Sequence, residues 1–294
     1  MDITKPIHIA YFSGTGGTAL VVEALKNTLL NKGQKVTTTD ISKNKFKEVK
    51  DDFLIIIYPV YAFNAPKPIE KWLERISQVH KSSHAAVISV SGGGEISPNT
   101  SCRRRVIRLL EQKNYVVRYE SMVVMPSNFA VAYDEVVSAM LLRALPLKVN
   151  EIANEILSGK LYRKNPLVID RLFSRLGLME RLFSGKIFGK NLKTTDGCTG
   201  CSWCSKQCPT GNISISKNKP VFHDKCVLCM RCIYGCPHNS IVPGIGKFIV
   251  LKNGYNLKEI SANTAYLKVF PPVKSITKGI LLIGVRKYLE KYYL

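Results

Sequence analysis

The sequence predicts an α/β protein: an open, doubly wound parallel sheet in the N-terminal half, followed by a small α+β module rich in cysteine. Three observations lead there. Apolar, β-branched runs without strict alternation recur between amphipathic stretches, as strands buried on both faces require. A glycine- and threonine-rich turn follows the first such run, and eight of the nine cysteines fall between residues 198 and 236 in two groups of four with identical spacing.

Taken in order, residues 7–12 (IHIAYF), 35–40, 53–58 (FLIIIY), 85–90 (AAVISV) and 116–125 read as strands, with 35–40 at the edge of the sheet. Helices are expected at 18–31, 66–78, 100–113 and 134–157, an alternation typical of an open α/β sheet. Gly159 stops the last of them, which sets the first domain at residues 1–159. Residues 160–189 form a basic amphipathic connector with a short echo, Arg171-Leu172-Phe173-Ser174 and Arg181-Leu182-Phe183-Ser184. The connector is expected to pack on the adjoining domain, with a membrane surface as the alternative. Residues 190–243 hold the cysteines, and residues 244–294 form a basic extension whose last turns read as an amphipathic helix.

At 294 residues and 46% apolar composition, the chain can bury two cores. Its first residues lack a charged region followed by an apolar stretch, so no signal peptide is expected. The longest apolar run near the C-terminus, Ile280 to Val285, is far shorter than the roughly 20 residues that cross a bilayer. These features predict a cytoplasmic protein whose cysteines are thiolate ligands rather than disulfides.

The strongest motif is Cys198-x2-Cys201-x2-Cys204-x3-Cys208-Pro209, repeated as Cys226-x2-Cys229-x2-Cys232-x3-Cys236-Pro237. Three thiolates on a tight loop cap three corners of an iron–sulfur cubane, and a fourth arrives from elsewhere. In the two-cluster arrangement the fourth cysteine of each run completes the other cluster. Cys198, Cys201, Cys204 and Cys236 are thereby assigned to one [4Fe-4S] cluster, and Cys226, Cys229, Cys232 and Cys208 to the second. Zinc sites share the C-x2-C pairs but have no use for a third close cysteine and the C-x3-C-P ending. Residues 190–243 resemble the bacterial two-cluster ferredoxin family, including Ile213 and Ile241 after the C-P pairs. The resemblance implies a small pseudo-symmetric module that moves single electrons. Such ferredoxins are usually acidic, whereas Asp224 is the one acid between Cys198 and Cys236 here.

Directly after the first strand, Ser13-Gly14-Thr15-Gly16-Gly17-Thr18 opens a helix. Backbone N–H groups at a helix N-terminus, joined by hydroxyls, make an anion site. The glycine offsets do not match G-x-G-x-x-G, and no Gly-Lys-Ser/Thr ending marks a Walker loop. The run resembles the phosphate loop of the flavodoxin family, and the resemblance extends over about residues 5–159. It implies the sheet order 2-1-3-4-5 and bound FMN. It also implies two ring-holding loops at the carboxyl ends of the strands. These are Pro59, Val60, Tyr61, Ala62, Phe63 and Asn64 after the third long strand, and Ser91, Gly92, Gly93 and Gly94 after the next. Tyr61 or Phe63 is expected to stack on the flavin, and the glycines to let the backbone approach its edge. Pro126-Ser127-Asn128-Phe129 forms a fourth loop on the same side. Unlike ordinary flavodoxins, the chain is basic and the Gly92 loop carries no obvious aromatic residue.

The two parts together resemble bacterial fusions of a flavodoxin-like domain with a two-cluster ferredoxin domain. The resemblance implies an electron carrier relaying electrons between FMN, two [4Fe-4S] clusters and redox partner proteins. The alternative is a flavin-dependent reductase of a small molecule fed through the clusters, although no nicotinamide fingerprint or acid–base pair is present. No catalytic residue is assigned. The formal charge of +22 admits acidic proteins, anionic membranes or nucleic acid as partners. Dispersed basic residues and the lack of a nucleic-acid-binding signature favour acidic redox proteins, with peripheral contact to anionic lipid as a second use. Cys102 reads as a buried thiol, and Arg103-Arg104-Arg105 as a solvated helix face.

Overall fold

The computed structural model describes residues 5–43, 53–79, 83–267 and 269–293, without the side chains of 180–184. Five parallel strands, β1 (Ile7–Tyr11), β2 (Val36–Asp40), β3 (Phe53–Pro59), β4 (Ser83–Ser91) and β5 (Tyr115–Val124), lie in the order β2-β1-β3-β4-β5. This is the flavodoxin-like doubly wound order, whose switch point falls between β1 and β3. Side chains of β3 alternate between two cores. Ile55 and Ile57 meet Val21 and Leu25 of α1 (Gly17–Asn31) and Val149 and Ile152 of α4 (Glu135–Leu157). Leu54, Ile56 and Tyr58 meet Ile69 and Leu73 of α2 (Lys67–Arg75) and Ile107 and Leu110 of α3 (Arg104–Glu111). Burial on both faces at a period of two explains why the strand is an unbroken apolar run in sequence.

The connector leaves α4 beside the outer edge of the sheet. The Tyr162 N–H donates to Arg118 O at 2.9 Å and its carbonyl accepts from Glu120 N at 3.0 Å, so this segment covers part of the free edge of β5. It then forms α5 (Val168–Phe183) and a π-helical turn, Ser184–Gly189. The cysteine-rich module has two antiparallel ladders. One pairs β6 (Leu192–Thr194) with β9 (Ile241–Pro243), the other β7 (Ile213–Ser216) with β8 (Lys219–Phe222). Short helices α6 (Trp203–Gln207) and α7 (Arg231–Tyr234) complete it, and Leu192, Ile213, Ile233 and Ile241 form its core.

The extension forms α8 (Leu257–Asn263), α9 (Val273–Ile276) and α10 (Ile283–Glu290). It folds back on the first domain, where Val285 and Leu289 pack with Val137, Met140 and Leu141 of α4.

The arginine run departs from the sequence reading. Residues 99–101 take a 3-10 turn, so α3 starts at Arg104 and Arg103 falls on the inner side. Arg103 is 1% exposed. Its Nε donates to Glu120 Oε2 at 2.7 Å, its Nη1 to Ser89 Oγ at 2.9 Å, and its Nη2 pairs with Glu95. Arg104 is exposed, and Arg105 reaches Glu70 at 2.9 Å. Cys102 is buried as expected. Burial would raise the pKa of Glu95, but Arg103 and Lys164 outweigh it and hold that carboxyl below its usual range.

Removing a partner from a buried ion pair strands the remaining charge. Arg103→Met is therefore expected to lower unfolding free energy by about 3–5 kcal/mol in urea titrations of the full chain. The Glu95 part of this stability is complete above the ordinary carboxylate pKa and lost as pH falls through its lower folded value. The gap between wild type and variant should accordingly narrow on acidification below about pH 4.

Candidate functional site

A cavity of about 490 Å³ opens at the carboxyl ends of β1, β3 and β4, within the roughly 300–1,000 Å³ usual for ligand sites. Of the sequence-predicted residues, Gly14, Thr15, Gly17 and Thr18, residues 59–63, and Ser91, Gly92 and Gly93 line it. The other four support it from behind. Ser13 Oγ accepts from Ala19 N at 3.2 Å and so caps the start of α1. Gly16 takes the left-handed φ of 102° that turns the chain into this helix. Gly94 packs on the backbone of Gly284 in α10, 2.6 Å from where a Cβ would lie. Asn64 ties α5 to the loop, donating through Nδ2 to Ser174 O at 2.8 Å and accepting from Ser174 Oγ at 2.6 Å.

Arg231 of α7 sets the orientation of the glycine-rich loop. Its Nε donates to Gly14 O at 2.9 Å, its Nη2 to Ser13 O, and its Nη1 to Gln207 O at 3.0 Å. In a trans peptide the N–H points opposite to the C=O. The carbonyls of Ser13 and Gly14 are thus taken up by a cation, and the N–H groups of Gly14 and Thr15 face the other way. They lie beside the N-terminus of α1, whose helix dipole favours negative charge. Lys67 and Lys225 border the same cavity, along with Asp224.

The loop after β3 is a tight turn in which Tyr61 and Asn64 exchange backbone hydrogen bonds of 2.9 Å. Ala62 and Phe63 take φ of 45° and 60°, a left-handed region that costs non-glycine residues about 1–2 kcal/mol each. This turn directs the two expected stacking residues into ring contacts. Tyr61 meets Phe12 edge-on at 6.3 Å, and Phe63 meets Phe173 of α5 at 6.1 Å. The Tyr61 hydroxyl is buried beside Cys229 without a hydrogen-bond partner among the described residues.

Other walls come from remote segments. Residues 125–131 and Tyr133 follow β5, Tyr255 and Leu281 come from the extension, and residues 224–228 come from the second cysteine run. Tyr255 Oη donates to Pro126 O at 2.9 Å, and Tyr133 Oη donates to Gly92 O. The fourth loop, including Pro126 and Phe129, is legible in sequence. Tyr255 and Leu281 carry no local signal that could have placed them here.

Two smaller cavities lie in the cysteine-rich module. One is lined by Cys198, Cys201, Cys204 and Cys236, the other by Cys208, Cys226, Cys229 and Cys232. The two runs share a backbone: Ser202 and Met230 both turn left-handed, at φ of 64° and 58°, and both precede a short helix. Among the described residues, no three His, Cys, Asp or Glu side chains converge closely enough to hold a single metal ion. Each set of four lines its own small cavity. Burial and the neighbouring Cys229 and Cys208 push the Cys226 thiol up to about 12. Burial also raises Cys229 and Cys232. Thiols so placed ionise when a positive centre binds them. Backbone N–H groups of Asn212, Leu228 and Ser240 already point at Cys208, Cys226 and Cys236, at N···S distances of 3.2, 3.4 and 3.4 Å.

The large cavity and the second thiol cavity share a wall. Cys226 borders both. Cys229 abuts the glycine-rich loop after β1, so that a Cβ on Gly14 would lie 2.7 Å from its carbonyl oxygen.

Sheet order and switch-point cavity define a flavodoxin-like α/β domain, here joined to a module with two four-cysteine cavities. No known family's sequence profile matches the chain. It is similar to one component of the ion-translocating oxidoreductase complex of Methanosarcina acetivorans, 36% identical over 56 residues. That match covers 18% of this chain and 21% of the relative, so the chain spans about a fifth of the curated protein it matches. Solved structures overlap the chain at low identity. An archaeal flavodoxin is 14% identical, covering 51% of this chain and 98% of its own, with a TM-score of 0.36. An NAD(P)H:quinone oxidoreductase from Methanothermobacter marburgensis is 12% identical, covering 55% and 99%, with a TM-score of 0.39.

The tight approach at Gly14 is directly testable. Gly14→Ala would press on both the Tyr61 hydroxyl and the Cys229 backbone and is expected to cost about 1–3 kcal/mol, read as a lower urea midpoint of the full chain. An unchanged midpoint would mean that neither Tyr61 nor the cysteine run meets the loop this closely.

Proposed function

We propose that this chain is an electron-transfer protein that holds FMN in the large cavity and a [4Fe-4S] cluster in each thiol-lined cavity, and passes electrons between partner proteins. The observation that carries this reading is the shared wall, with Cys226 bordering both spaces and Cys229 seated on Gly14. FMN exchanges electrons in pairs or singly, and the clusters take them one at a time.

The chain's own residues supply holding and insulation. Gly14 N–H, Thr15 N–H and the N-terminus of α1 would take the phosphate, with Lys67 and Lys225 adding positive charge. Residues 59–63 and Gly92 and Gly93 would border the ring. Tyr133, Tyr255 and Leu281 keep water from that side. Cys208, Cys226, Cys229 and Cys232 would hold the flavin-facing cluster, and Cys198, Cys201, Cys204 and Cys236 the outer one. Cys201 is exposed, which gives a partner access at the outer end. The partners would be acidic, matching the five basic residues against one acid between residues 198 and 240. The sequence match to a component of an oxidoreductase complex agrees with redox work.

Anaerobic preparation followed by metal, sulfide and flavin analysis tests this reading. The expected content is about eight iron atoms, about eight sulfides and one FMN per chain. Cys236→Ala is expected to alter the EPR signal of one cluster while the other and the FMN remain. Zinc without sulfide would overturn the cluster reading, and clusters without bindable FMN would overturn the relay.

A further inference from the structure

Helix α5 meets the first domain through its polar and small residues. Asp170 is fully buried, accepting from Ser97 Oγ at 2.5 Å and pairing with Thr100. Ser174 exchanges hydrogen bonds with Asn64. At Gly177 the helix backbone lies so near the Ala62 carbonyl that a Cβ has no room. The opposite side carries Val168, Leu172, Leu176 and Met179, spaced i, i+4, i+8 and i+11, and therefore forming one stripe. They are 77%, 51%, 51% and 56% exposed. Leu167 and Ile169 extend the stripe at its start.

A surface helix normally buries its apolar stripe and wets its polar face. Here the arrangement is reversed, and a contiguous apolar patch of this kind marks an interaction surface. Charge selects the occupant. Residues 160–189 hold seven Lys and Arg against two acids, and one of those acids, Asp170, is buried in the domain contact. Arg175 stands exposed within the stripe, and Arg171 is half-buried beside it. Two copies of this face would set like charges against each other, which disfavours self-association. No helix among the described residues is long and apolar enough to cross a membrane.

We propose that α5 lies on the surface of an anionic lipid bilayer. The Val168, Leu172, Leu176 and Met179 side chains enter the headgroup boundary, and Arg171 and Arg175 reach lipid phosphates along their apolar stems. Phe173 of the same helix touches Phe63, and Gly185 borders the large cavity, so the lipid surface would lie beside the cavity mouth. This inference rests on α5 alone and is independent of which cofactor the cavity holds.

The test is co-sedimentation of the full-length, anaerobically prepared protein with vesicles of phosphatidylcholine, alone or mixed with phosphatidylglycerol. Binding should be at least about tenfold tighter to the mixed vesicles, because two arginines near the surface each contribute attraction that salt weakens. Leu172→Asp/Leu176→Asp should abolish it, and Arg171→Gln/Arg175→Gln should remove the preference for anionic lipid. Both pairs should leave circular dichroism unchanged, since Leu172, Leu176 and Arg175 are exposed, Arg171 is half-buried and none of the four side chains lines the large cavity. Wild type that ignores the mixed vesicles, or binding that survives Leu172→Asp/Leu176→Asp, would overturn the proposal. So would a dimer in gel filtration that this variant dissolves, because a second copy would then cover the stripe.

Discussion

The guanidinium of Arg231 is the contact on which the assembly depends. One side chain, set between Cys229 and Cys232, donates to Ser13 and Gly14 of the glycine-rich loop and to Gln207 beside Cys208. Hydrogen bonds from a charged donor contribute about 1.5–3 kcal/mol each, and a planar fork supplies three of them in fixed directions, which lysine cannot. The same contact does two jobs. It docks the cysteine-rich module onto the glycine-rich loop, and by turning two carbonyls toward itself it leaves the N–H groups of Gly14 and Thr15 facing away from it.

The C-terminal extension completes the opposite side. It buries Val285 and Leu289 on α4 and seats Gly284 against Gly93 and Gly94. The glycine loop is therefore held from behind rather than left free, and a change in its backbone would have to move α10. Tyr255 and Leu281 then close the cavity from segments more than a hundred residues distant in sequence from the loops they face. A basic stretch without motif thus becomes part of the wall of the site.

Much of the architecture can be read from the chain because the responsible forces are local. Double-faced burial forces β1, β3 and β4 to be apolar runs, and ligand spacing on a tight loop makes the two cysteine runs recognisable in isolation. What the chain hides is set by tertiary contact. Arg103 looks like a solvated helix residue until Glu95 and Glu120 are seen behind it. Asn64 reads as part of the loop after β3, and its side chain is seen only in the structure to hold α5. The connector packs on the first domain, as its amphipathic pattern predicts, but through Asp170, Ser174 and Gly177, because Ser97, Asn64 and the Ala62 carbonyl offer them partners. Amphipathic periodicity gives the two faces of a helix without saying which one the protein keeps.

The thiol cavity of Cys208, Cys226, Cys229 and Cys232 shares a wall with the large cavity, whereas the cavity of Cys198, Cys201, Cys204 and Cys236 does not. EPR spectra of the anaerobically reduced protein, recorded with FMN bound and after its removal, test this most directly. If FMN and the clusters occupy these spaces, one cluster signal should change with FMN occupancy, and it should be the one retained in Cys236→Ala. Signals that are both indifferent to FMN, or a change confined to the cluster lost in Cys236→Ala, would contradict it.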